Sequence, residues 1–209
     1  MEQPPPGISR FGRLDVILVR HATPIPPNTP GWEERDDDRP LAPEGIGAAL
    51  ELADELEPYG LSAIYTSPYL RARQTVEPLA RRRVLPIQEL PDLRERRLSP
   101  APLRDWREQL ERAWSEPDYA LPGGESGRDA QRRALGVLDL LRMRHPDGGR
   151  ILVASHGNLI SLILHALEPG VDARFHLGMP MPAIYHLEHD GIGWRVLGGH
   201  GFVPLAPRN

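Results

Sequence analysis

A chain of 209 residues with 25 basic and 29 acidic side chains carries a net charge of −4, which gives no global attraction to nucleic acid or an anionic membrane, so any anion must be met by a local positive cluster. Cysteine is absent, which excludes disulfides, thiolate metal sites and every phosphatase chemistry built on a cysteine nucleophile. Lysine is absent too, so all 25 basic residues are arginines; a P-loop lysine and a Schiff base are excluded, while bidentate recognition of phosphate or carboxylate is well supplied.

Residues 1–12 read as a frayed tail without the apolar centre of a secretory signal, and no stretch has the apolar length needed to span a bilayer. The expected location is therefore the cytoplasm. Residues 15–19, Asp-Val-Ile-Leu-Val, suit a central parallel strand buried on both faces, and the chain then reaches Arg20 and His21. Residues 22–43 are rich in proline, hold the acidic run at 36–38 and predict an irregular surface loop. Ile46, Ala49, Leu50, Ala53 and Leu56 recur at helical spacing, which predicts a helix over 44–57 ended by Pro58 and Gly60.

Residues 61–65 predict a second buried strand. Ser67 then suits a helix cap, with Pro68 in the first turn of a helix reaching about Arg82. A third strand is expected over 84–87. Residues 91–122 form a charged, proline-rich segment, inserted like a cap, around an amphipathic piece at 103–114. Ser126 and Asp129 stand at capping-box spacing before a helix whose inner face carries Val137, Leu138 and Leu141. Residues 150–154 are the second strongly apolar strand, leading into Ser155-His156-Gly157, with Asn158 opening a helix over 159–167. Residues 183–188 and 194–197 predict a hairpin at one sheet edge. This alternation predicts a single α/β domain over 13–209: a three-layer α/β/α sandwich with a mostly parallel open sheet.

In open sheets, ligands bind beyond the carboxyl ends of the strands. His21 and His156 each follow one of the most apolar strands, so neighbouring strands would bring both imidazoles to one edge. Arg71 sits in the first turns of its helix, where the positive end of the dipole disfavours a cation. A bound phosphate would offset it, and so would pairing with a nearby Asp or Glu. His186 and His189 lack a third ligand of convincing spacing for a metal. His145, His165, His176 and His200 read as structural or surface residues.

Several segments in order resemble one family. Leu18-Val19-Arg20-His21-Ala22-Thr23 resembles an R-H-G signature, and residues 67–75, Ser-Pro-Tyr-Leu-Arg-Ala-Arg-Gln-Thr, are similar to S-x-L-x-R-A-x-Q-T. Leu93-Arg94-Glu95 resembles L-x-E, Pro122-Gly123-Gly124-Glu125-Ser126 another recurring stretch, and Ser155-His156-Gly157 an S-H-G. Together they resemble the histidine phosphatase superfamily, whose members have the phosphoglycerate-mutase-like fold. The resemblance implies that His21 accepts phosphate as a neutral imidazole, that Arg20, Arg71 and His156 hold its oxygens, and that Glu95 serves as acid and base. Thr23, Asn28 and Gly157 are the candidate further substrate contacts. Neither a metal nor a cofactor is implied.

The chain departs from the pattern at Ala22, in place of glycine, at residues 23–27, which lack the E-T-x-x-N run, and at Ala48, where glutamine is common. Glu33, Glu34, Glu89, Asp92 and Glu125 are other carboxylates within reach of the acid's role. Trp32, Trp106 and Trp114 are candidates to line the pocket. The function implied is hydrolysis of a small organic phosphate, with a small phosphorylated metabolite as the expected partner and neither nucleic acid nor membrane. A homodimer is left open. A phosphoglycerate mutase and a non-catalytic binder of phosphorylated ligands are the alternatives. The 61 positions from Glu95 to His156 favour the phosphatase over mutases with longer insertions.

Overall fold

Every residue of β1 (Leu14–Arg20) before the last is buried. The reason is its place in the middle of a six-stranded sheet of order β3-β2-β4-β1-β5-β6. The structure, a computed structural model, describes residues 12–27, 29–30, 36–100 and 103–202. Strands β2 (Ala63–Thr66), β3 (Ile87–Glu89) and β4 (Gly149–Ser155) run parallel with β1. The hairpin β5 (Ala183–His189) and β6 (Trp194–Gly199) closes the other side, with β5 antiparallel to β1.

Successive side chains of a strand point to opposite faces, and both faces of β1 are covered. Leu14, Val16 and Leu18 pack with Leu138 and Leu141 of α4 (Gly127–Arg144) and Ile160 and Ile163 of α5 (Gly157–Leu167). Ile17 and Val19 pack with Leu52 and Leu56 of α1 (Pro43–Leu56) and Val76 and Leu79 of α2 (Leu70–Arg83). Each fully buried aliphatic side chain contributes about 1.5–3 kcal/mol. Two helical layers on one sheet make the expected three-layer sandwich. No helix among the described residues is long and apolar enough to cross a membrane.

Several boundaries differ from the sequence reading. The third strand starts at Ile87 because Val84, which caps α2, is held in the left-handed region (φ 52°) and cannot belong to a strand. Helix α2 starts at Leu70 with Tyr69 as its cap, so Ser67 is not the capping residue. Ile46 and Leu50 are 52% and 47% exposed; Ala49, Leu52, Ala53 and Leu56 form the buried face of α1 instead. The amphipathic piece is α3 (Trp106–Ser115), and the short α6 (Ala173–Gly178) was not anticipated. Ser126 does cap α4, its hydroxyl accepting the Asp129 N–H (3.1 Å) and donating to the Asp129 carboxylate (2.8 Å). Such a cap contributes about 1 kcal/mol. Most of the expected 1–12 tail lies outside the described residues.

Candidate active site

The register of β1 against β4 sets Arg20 beside Ser155, so the residues that follow, His21 and His156, leave the sheet side by side. Their rings lie 5.1 Å apart at 64°. The His21 N–H donates to the Ser155 carbonyl (3.0 Å), which ties the two strand ends together.

His21 is buried and its ring is fixed at both nitrogens. Nδ1 carries the proton and donates to the Ala22 carbonyl (2.8 Å), the only role open to that nitrogen against an oxygen acceptor; Nε2 accepts from Arg71 Nε (3.3 Å). The free lone pair therefore belongs to Nε2. Burial, then Arg71, and more weakly Arg20 and Arg39, push the imidazole down to about 3, against which the bond to Ala22 is a smaller effect. His21 is thus neutral at ordinary pH, as a nucleophile must be.

Helix α2 presents Arg71, whose side chain is 3% exposed, from its second position. The rest of the motif anchors the surrounding loops. Thr75 Oγ1 donates to the Arg71 carbonyl (2.7 Å) and accepts the Ala22 N–H (2.9 Å), and Gln74 Oε1 accepts the Leu41 N–H (2.8 Å). Ser67 Oγ accepts the Tyr69 N–H (3.2 Å) and meets His156 Nε2 at 2.8 Å. His156 is fully buried, and burial, with His21, Arg71 and Arg20 nearby, holds its imidazole well below the usual histidine range. Its Nδ1 has no hydrogen-bond partner among the described residues, and neither does the buried Arg20 Nε. A buried polar atom left without a partner costs free energy, and both of these face the same cluster as His21.

Arg20 donates from Nη1 to the Met179 carbonyl and lies against Gly157, where an added Cβ would stand 3.0 Å from the guanidinium carbon. Gly157 therefore serves by leaving room for Arg20. Glu95 accepts the N–H groups of Arg96 (2.8 Å), Asn158 (3.1 Å) and Leu159 (3.0 Å), so its carboxylate sits at the start of α5, beside Gly157 and His156. The loop that carries it is held by Ser155, whose hydroxyl donates to the Leu93 carbonyl (2.7 Å), and by Arg133, which donates to the Asp92 and Arg94 carbonyls (2.5 and 3.1 Å).

The rival carboxylates are engaged elsewhere: Glu89 with Arg73 (3.1 Å), Asp92 with Arg94 (3.0 Å) and Glu125 with Arg133 (2.8 Å). Glu33, Glu34, Asn28 and Trp32 lie outside the described residues. Thr23 acts through its carbonyl, which accepts the Ala42 N–H (3.0 Å). Trp106 is exposed, and Trp114 packs on His165 and His176. His189 Nδ1 accepts from Arg142 Nε (3.1 Å) and from the Gly191 N–H (2.9 Å).

Four side chains near the site escaped the sequence reading. Tyr69 stands at the leucine position of the helix motif; its ring lies 4.9 Å from His156, and the Arg71 guanidinium sits over it at 4.9 Å. That mismatch with the motif was the available signal. His176, read as structural, lies within the fields of Glu95 and Arg20, and burial lowers its pKa. Asp36 and Arg39 come from the first loop. The Asp36 carboxylate bridges Arg71 (3.0 Å) and Arg39 (2.7 Å), so the cation at the helix start is offset by an acidic side chain.

A family model described as the histidine phosphatase superfamily (branch 1) matches residues 16–199. A 2,3-bisphosphoglycerate-dependent phosphoglycerate mutase of Methylobacterium radiotolerans is 27% identical over 84% of this chain and 90% of its own length. An uncharacterized phosphatase, PhoE, of Bacillus subtilis is 29% identical over 87% of this chain and 91% of its own. Among solved structures, a mycobacterial glucosyl-3-phosphoglycerate phosphatase complexed with VO3 superposes with a TM-score of 0.66 at 26% identity, covering 89% of this chain and 97% of that one.

Proposed function

Because the chain belongs to the histidine phosphatase superfamily, we propose that it hydrolyses a small organic phosphate in two transfers, first to His21 and then to water. The observation that carries the reading is the state of His21: a buried, neutral imidazole with Nδ1 tied to the Ala22 carbonyl and Nε2 facing Arg71.

In the first transfer Nε2 bonds to phosphorus and the bond from phosphorus to the ester oxygen breaks. The negative charge spread over the phosphoryl oxygens is met by Arg71 and Arg20. Ser67 Oγ, already accepting from Tyr69, can donate its O–H in a hydrogen bond to His156 Nε2, so that the ring proton sits on Nδ1 as a neutral donor. Glu95, as general acid, passes a proton to the departing oxygen. It then takes one from the water that attacks phosphorus, and inorganic phosphate leaves as His21 regains its lone pair. The three N–H groups on the Glu95 carboxylate hold it in position for both steps.

The test is release of para-nitrophenol from para-nitrophenyl phosphate by the wild type beside His21→Ala. The wild type is expected to turn over, and the variant to lose about 10⁴-fold or more, as expected when a covalent nucleophile is removed. Equal rates would remove this chemistry altogether.

A mutase is the second reading, favoured by the Methylobacterium relative, which the chain matches over 90% of its length. That match also means that overall length does not separate the two activities. Efficient isomerisation of 3-phosphoglycerate after priming with the bisphosphate would select the mutase; steady phosphate release without priming selects the phosphatase.

A further inference from the structure

Each guanidinium nitrogen of Arg71 is engaged within the protein. Nε donates to His21 Nε2 (3.3 Å), Nη1 to the Asp36 carbonyl (2.5 Å) and Nη2 to the Asp36 carboxylate (3.0 Å). An oxyanion bound to His21 Nε2 therefore competes with Asp36 for the same donors. The other oxygen of that carboxylate is held by Arg39 Nη2 (2.7 Å), so two guanidinium groups already share one anion. Such paired recognition is equally suited to two oxygens of a phosphate.

The two partners differ in how firmly they are held. The Asp36 side chain is 58% exposed, in a single turn of 3-10 helix at Asp36–Asp38. Arg39 is 13% exposed and donates from Nη1 to the Ile25 carbonyl (2.9 Å), while its buried Nε has no hydrogen-bond partner among the described residues. Its positive charge also reaches His21, whose imidazole it helps to keep unprotonated. Losing Asp36 would leave Arg39 in place, close to Arg71 and short of a counter-charge.

We propose that Arg39 is a phosphate-binding residue alongside Arg71, and that the Asp36 carboxylate is the anion an arriving phosphate displaces from the pair. This rests on the phosphomonoesterase reading, because it takes the His21 pocket as the place where phosphate binds. The carboxylate sets a threshold: weak anions leave Asp36 in place, and a phosphate dianion, with more charge and more acceptor oxygens, wins the two arginines.

The experiment is calorimetric titration of the full chain with inorganic phosphate, alongside its competitive inhibition of para-nitrophenyl phosphate turnover. Asp36→Asn removes the competing charge and is expected to tighten phosphate binding about ten-fold, and Arg39→Gln to weaken it by a similar factor. Because Asp36 is exposed, its variant is read even where Arg39→Gln fails to fold. An Asp36→Asn protein that binds phosphate no more tightly than wild type, or a folded Arg39→Gln protein with unchanged affinity, would overturn the inference alone. A wild type that neither binds phosphate nor releases nitrophenol would instead remove the phosphomonoesterase reading beneath it.

Discussion

Glu95 has a local geometry that separates its two possible jobs. Its oxygens accept backbone N–H groups from Arg96, Asn158 and Leu159, so a glutamine in its place keeps an acceptor for part of that set and loses the exchangeable proton. If it supplies the proton to the departing oxygen, Glu95→Gln lowers kcat/KM, which reports the first transfer alone, on alkyl phosphates by about 10²–10⁴-fold. It lowers kcat/KM much less on para-nitrophenyl phosphate, whose phenolate leaves without help. Steady-state kinetics on both esters checks this, and equal losses in kcat/KM would make Glu95 a structural cap of α5. The L-x-E spacing picked it out in the sequence. The pairing of Glu89 with Arg73 and of Glu125 with Arg133, which sets those two rivals apart, is a matter of distances between segments.

Helices α2 and α5 do the positioning at the next scale. Each begins beyond the end of a strand and brings a short motif toward His21: Arg71 from α2, and the run from His156 to Gly157 from α5. Gly157 is the tightest of these junctions, because a Cβ there meets the Arg20 guanidinium at 3.0 Å. Gly157→Ala is therefore expected to displace Arg20 by a few tenths of an ångström and to lower kcat/KM about ten-fold. The melting temperature should hold or rise slightly, since alanine suits a helix start better than glycine does. A thermal melt beside the kinetics distinguishes this from general damage, and undiminished kcat/KM would show that the close approach is not needed.

His21 and His156, buried side by side, contribute to the pH dependence of the whole molecule. His21 has a pKa of about 3 in the fold and 6.5 as the ordinary value for the unfolded chain, so between those values the unfolded chain binds the extra proton. Stability is present in full above about pH 6.5 and is lost progressively as pH falls toward 3. His156 shifts in the same direction. Urea midpoints at pH 7.5 and 5 should show wild type losing about 2 kcal/mol more than His21→Gln. Parallel losses would mean that the imidazole is not desolvated as the structure has it.

The sequence alone determined the strands, the longer helices and the motifs that mark the family, though not α6. β1 and β4 are apolar on both faces, a pattern that only a central strand explains, and His21 and His156 follow them directly. The R-H, S-x-L-x-R-A and S-H-G segments needed no coordinates, because their local residues carry the signal. Tertiary structure decided what depends on distance between segments far apart in the chain. Val84 ends in a left-handed cap where an apolar run suggested a strand, and Ser67 binds His156 in place of capping α2. Asp36 takes the Arg71 charge across 35 positions. Periodicity and capping are interactions between neighbours in the chain, readable one segment at a time. An ion pair between a loop and a helix is set by how the whole sheet and its layers pack, and no local pattern encodes it.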